Sequence, residues 1–103
     1  MVTSAVDAVL AVLPDGGPVE VTGDGALAVA LRERLDDRPG GAEPAVVVET
    51  TGDAAAIVAA TERVAADGTV VLAGPSPDAP VLMNLYADLH GRGLTVIGVP
   101  PER

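Results

Sequence analysis

The residues able to do chemistry gather after three short apolar runs. Gly23-Asp24-Gly25-Ala26-Leu27-Ala28 follows the run 19–22, Glu49-Thr50-Thr51-Gly52 follows 45–48, and Gly74-Pro75-Ser76-Pro77-Asp78 follows 69–73. A glycine turn opening a helix lets an anionic group approach bare backbone, where the helix N-terminus favours negative charge. Glu49 and Asp24 are the carboxylates placed to act as acid and base, since an apolar cleft can tune such groups for proton transfer. Ser76 stands between two prolines with no histidine near it in sequence, so it is not read as a nucleophile. Tyr86 and His90 are four apart and share a helical face, while Asp88 points elsewhere. They form either an acid/base pair or, more plainly, a tyrosine beside a histidine at a helix C-terminus. Asp36 and Asp37 are solvated loop charges.

The elements that must hold these groups alternate along the chain. An amphipathic helix is expected over 4–13, with Ser4 and Asp7 as a capping box and Val6, Val9, Leu10 and Leu13 as its stripe. The strand at 19–22 alternates apolar and polar residues, which predicts an edge or a wet face. A helix over 24–35 carries Leu27, Leu31 and Leu35. The strand at 45–49 is the continuous apolar run of a buried parallel strand. Asp53 caps a helix to about position 66, and strand 69–73 follows. A helix over 79–90 is predicted from the stripe Leu82, Leu85, Tyr86 and Leu89, before a last strand at 94–99. Alternating strands and helices argue an α/β fold with a parallel sheet of four strands, in one domain spanning 1–103.

Composition narrows the function. The chain has 103 residues and a formal charge of −9, with no cysteine; Tyr86 is its only aromatic residue and all six basic residues are arginine. Nucleic-acid binding is excluded, because it needs a basic face and stacking rings. With no thiol and one histidine, neither a disulfide nor a metal site is expected. No apolar run approaches a membrane span, and the residues Met1-Val2-Thr3-Ser4 lack the basic region of a signal peptide, so a cytoplasmic protein is expected. A lysine-free, Ala/Val-rich chain fits a GC-rich bacterial genome, where shortened relatives of metabolic enzymes serve biosynthesis.

The glycine turn, Glu49-Thr50-Thr51-Gly52, the stretch 66–74 and Asn84-Leu85-Tyr86-Ala87-Asp88-Leu89-His90 with Arg92-Gly93-Leu94-Thr95-Val96-Ile97-Gly98 together resemble one known pattern. It is that of the nucleotide-binding (Rossmann) domain of the medium-chain dehydrogenase/reductase superfamily, the zinc alcohol and threonine dehydrogenase type. Positions 44–99 are similar to its second half and 2–35, more loosely, to its first helix, strand and turn. The resemblance implies that the three loops face a dinucleotide, giving a ligand rim of Gly23, Asp24, Gly25, Ala26, Glu49, Thr50, Thr51, Gly74, Pro75 and Ser76. It also implies a sheet in the family order 1-4-5-6, because only 36–44 join the first helix to the strand at 45–49 and leave no room for strands 2 and 3. The catalytic domain, with its zinc ligands and proton relay, is read as absent. The acid that would hold the adenine ribose belongs on the missing second strand, and Glu43, in a Gly/Pro loop, is not assigned that role. Asp24 adds a carboxylate where a pyrophosphate would lie. No cofactor is therefore expected, with NAD(P) binding weakened on both counts.

Removing two strands makes the first strand an edge. A right-handed crossover then predicts its helix on the same face as the later helices, leaving the other face to the N-terminal helix alone. An exposed edge and a half-bare sheet predict a homodimer or higher oligomer. Three functions fit: a homo-oligomeric small-ligand-binding or accessory protein, a redox-neutral cyclase or isomerase using the old cofactor cleft, and an NAD(P)-binding subunit of an oxidoreductase.

Overall fold

A computed structural model describes residues 2–14, 17–35, 43–75 and 80–100. Four short strands, β1 (Val19–Thr22), β2 (Val46–Glu49), β3 (Thr69–Leu72) and β4 (Thr95–Gly98), form one sheet in the order β1-β2-β3-β4. All three pairings are parallel, with Val21 opposite Val48, Val48 opposite Val71 and Val71 opposite Ile97. This is the shortened Rossmann-like sheet that the sequence implies, with β1 at its edge. Val46, Val47 and Val48 are all fully buried, as a strand covered on both faces requires.

The helices are α1 (Val2–Val12), α2 (Ala26–Arg34) and α3 (Ala54–Arg63). Helix α1 starts at Val2, so Ser4 lies inside it and is not its cap. Asp53 does cap α3, its carboxylate accepting from the Ala56 N–H at 3.1 Å. The last turn of α3 ends at Arg63, because Val64 turns to an extended conformation, three residues before the expected end. Arg92 closes this end: its guanidinium donates to the Thr61 carbonyl at 2.5 Å and to the Val64 carbonyl. These are carbonyls that a helix C-terminus leaves unpaired.

Alternation along the strands separates two cores. Val21, Val46, Val48 and Val71 face α1 and α2, packing with Val6, Val9, Ala28 and Leu31. Val47 and Val70 face α3, packing with Ala60 and Val64. Helices α2 and α3 therefore lie on opposite faces, which corrects the expectation that they share one. The β1-α2-β2 and β2-α3-β3 crossovers move the same way across the sheet, so they have opposite hands and one departs from the right-handed rule. The reason is packing: Ala28 and Leu31 bury completely against the α1 side. The face expected to be half bare thus carries two helices.

The exposed apolar surface lies elsewhere. The predicted helix over 79–90 is, among the described residues, only a π-helical segment, Leu85–His90. Asn84 caps it, Oδ1 accepting from the N–H groups of Tyr86 and Ala87 at 3.1 and 3.0 Å. The expected stripe does not pack: Leu82 is 88% exposed, Tyr86 77% and Leu85 61%. Tyr86 and His90 do face each other, with ring centroids 5.4 Å apart, on the solvent side.

Candidate functional site

The loops after β1, β2 and β3 meet at the carboxyl end of the sheet. Gly23 has φ +103°, and a Cβ there would collide with the Thr50 hydroxyl. Gly52 has φ +71° and lies against the Pro75 carbonyl, while a Cβ on Gly74 would come within 2.6 Å of the Gly52 nitrogen. Only glycine permits loop backbones to pack this closely. Thr50 fastens the first two loops, its hydroxyl donating to the Thr22 carbonyl at 2.6 Å.

Glu49 organises the second loop from below. Its side chain is buried at 1% exposure. Oε1 accepts from the Thr51 N–H at 2.8 Å and the Thr51 hydroxyl at 2.5 Å, and more weakly from the Thr22 hydroxyl at 3.4 Å. Oε2 accepts from the Gly52 N–H at 3.0 Å. A carboxylate so occupied holds a turn; its oxygens are engaged by the loop's own donors.

Above these loops is a cleft of about 300 Å³ lined by Gly25, Ala26, Thr50, Gly74 and Pro75 from the predicted rim, and by Val9, Ala73 and Val99. That is the lower end of ligand-site volumes. Gly23, Asp24, Glu49 and Thr51 lie outside the lining. Asp24 is exposed, and Ser76 lies outside the described residues, as do Asp36 and Asp37. Sequence reasoning missed Val9, Ala73 and Val99, the apolar wall; two of these follow predicted strands, and α1 closes the third side. Thr50 is the sole polar side chain among the lining residues.

The three positions of the G-x-G-x-x-A turn divide their work. Gly23 makes the turn, and Ala28 is fully buried between helix and sheet. Gly25 is different: its φ is −79° and a Cβ would meet nothing within 4 Å. A phosphate-sized group fits over that bare backbone, at the start of α2. A whole dinucleotide does not fit as well. Its adenosine half needs a strand beyond β1 with a ribose-binding acid, and among the described residues β1 is the edge. Arg32 reaches that edge, donating to the Val21 carbonyl at 2.7 Å.

A parallel sheet with a G-x-G-x-x-A turn after its first strand and a cleft over its carboxyl ends defines a Rossmann-like α/β protein. The structure matches 2R,3R-butanediol dehydrogenase from Bacillus subtilis with a TM-score of 0.79 at 16% identity, over 99% of this chain and 41% of that one. It matches TarJ from S. aureus in complex with NADPH with a TM-score of 0.74 at 19% identity, over 94% and 42%. A zinc-binding dehydrogenase (gutB) from Clostridium scindens matches at 0.78 and 18%, over 95% and 40%. The chain thus has the fold of a part of these dehydrogenases and spans about two fifths of their length. No protein-family model and no curated protein sequence matches it. No helix among the described residues is long and apolar enough to cross a membrane.

Proposed function

We infer that the chain is a homo-oligomeric protein of bacterial metabolism that binds a small ligand, or serves a partner enzyme through it, without transferring hydride on its own. Gly25 carries this reading. Its backbone conformation and surroundings accept a side chain, so the fold does not require glycine there. A glycine that the chain's own packing does not need marks close approach by something else. The ligand places an acceptor group on the start of α2 and an apolar body against Val9, Ala73 and Val99. The acid/base reading draws no support from the geometry: Glu49 is tied to its own loop, and Asp24 stands outside the cleft lining.

The test is amide NMR with a library of small phosphates and carboxylates, with AMP and NADPH included. Fragments are expected to move the Gly25, Ala26, Thr50 and Gly74 signals together, and Gly25→Val to abolish the response. NADPH is expected to bind no tighter than AMP. A library in which no compound perturbs that group of amides overturns the reading.

A further inference from the structure

We propose that the free edge of β4 pairs antiparallel with β4 of a second copy about a two-fold axis through Ile97. This rests on the self-association in the reading above and names its surface.

The two edges of the sheet are treated differently. At β1, Pro18 precedes the strand, Glu20 holds Arg63, with 2.7 Å between Oε2 and Nε, and Arg32 covers the Val21 carbonyl. Charge, proline and covered backbone are how proteins block an edge. Strand β4 has none of these devices. Its residues Thr95, Val96, Ile97 and Gly98 are uncharged, Val96 is 37% exposed, and β4 pairs only with β3 among the described residues. The stretches 80–87 and 93–100 on either side of the π-helical segment carry no charge either. In a chain of charge −9, two copies repel wherever acids meet, and this is where they can approach without that cost.

The hydrogen bonds already made fix the register. The N–H groups of Thr95 and Val99 donate to β3-side carbonyls, Gly68 and Leu72, at 3.0 and 2.9 Å. By alternation, Val96 and Gly98 turn their N–H and C=O groups outward. Pairing about Ile97 sets each Val96 opposite the Gly98 of the second copy, which satisfies all the outward groups of both residues. Pairing about Val96 instead sets Gly98 against Leu94, whose N–H is already given to the Leu89 carbonyl at 2.9 Å. Pro100, lacking an N–H, limits how far the ladder extends. Gly98 supports this register independently: a Cβ on it would meet nothing within 4 Å, so its own sheet does not require glycine. Glycine in a strand often marks close approach by another backbone. The two-fold also keeps like faces together, so Val96 and the exposed Leu85 beside it flank the seam in both copies.

The chain has no cysteine, which makes a single introduced one a clean reporter. Facing Ile97 residues form a non-hydrogen-bonded pair with Cα atoms about 4.5 Å apart, within disulfide range. Under mild oxidation Ile97→Cys is expected to become a covalent dimer, whereas Val29→Cys on α2 is not. Light scattering of the unmodified protein at micromolar concentration should give twice 10.2 kDa. Val96→Glu, which sets carboxylates at the seam, should give a folded monomer by circular dichroism. A dimer that Ile97→Cys does not trap, and Val96→Glu does not dissociate, overturns the surface and leaves self-association standing. A monomeric unmodified protein overturns both.

Discussion

Replacing Glu49 by glutamine tests whether that carboxylate holds the loop or serves chemistry. Glutamine keeps the shape and one acceptor oxygen, so the bonds from Thr51 survive at neutral strength. Its amide nitrogen then faces the Gly52 N–H, which Oε2 now accepts at 3.0 Å in a buried site. Leaving one buried N–H unsatisfied costs about 1–3 kcal/mol, and losing charge assistance on the remaining bonds roughly another 1. Removing a buried charge returns part of this, so a net loss of about 2–3 kcal/mol is expected. At about 4–8 °C per kcal/mol for a domain of this size, the Tm should fall by roughly 10–20 °C. Far-UV circular dichroism during thermal and urea unfolding measures it. A Glu49→Gln protein within about 1 kcal/mol of the parent would refute the argument that this carboxylate organises the carboxyl-end loops.

The other predictions separate residues the fold needs from residues it spares. Gly23→Ala puts a Cβ into Thr50 at φ +103° and should destabilise by several kcal/mol, about 3 or more, read as a lost or greatly lowered unfolding transition. Gly25→Ala should leave the Tm unchanged or slightly raised, by about 0.4–1 kcal/mol, while weakening whatever fragment the amide NMR finds. Arg92→Ala removes both carbonyl contacts at the end of α3 and should cost about 2 kcal/mol in urea unfolding, with Arg92→Lys recovering only part. Arg32→Ala uncovers the Val21 carbonyl and should cost about 1–3 kcal/mol; light scattering should show association at a second edge, and its absence would mean that Arg32 does not guard β1.

Much of the sheet was legible because buried parallel strands leave a local signature. The run Val46-Val47-Val48 has no polar residue to turn toward water, and Glu20 and Thr22 announced an edge. The Asp53 cap was legible for the same local reason. What failed depended on competition between neighbours. The stripe Leu82, Leu85, Tyr86 and Leu89 has helical spacing, yet Asn84 spends its side chain on the Tyr86 and Ala87 N–H groups and starts the segment only at Leu85. The site was half legible: the loops were found, but not that Glu49 turns beneath them or that α1 supplies a wall. Burial of a carboxylate by its own loop leaves no mark in residue order.

The opposite-handed crossovers follow from the same shortness that shaped the cleft. Helix α2 has two possible faces once β2 directly follows it in the sheet. The right-handed choice would put Ala28 and Leu31 on the face of Glu20 and Thr22, the polar side of β1. The observed choice puts them on Val21 and against Val9 of α1, where both bury completely. Strand twist favours right-handed connections statistically, but completely burying a leucine is worth about 1.5–3 kcal/mol and exposing it beside a carboxylate forfeits that. Sequence pattern on β1 therefore decides the hand of the connection. Changing that pattern tests the point. Exchanging Glu20 and Val21 reverses which face of β1 is apolar, and should destroy cooperative unfolding instead of flipping α2, because Val46 and Val48 still line the α1 side. A cooperatively folded exchange variant with unchanged stability would show that β1 does not determine where α2 packs.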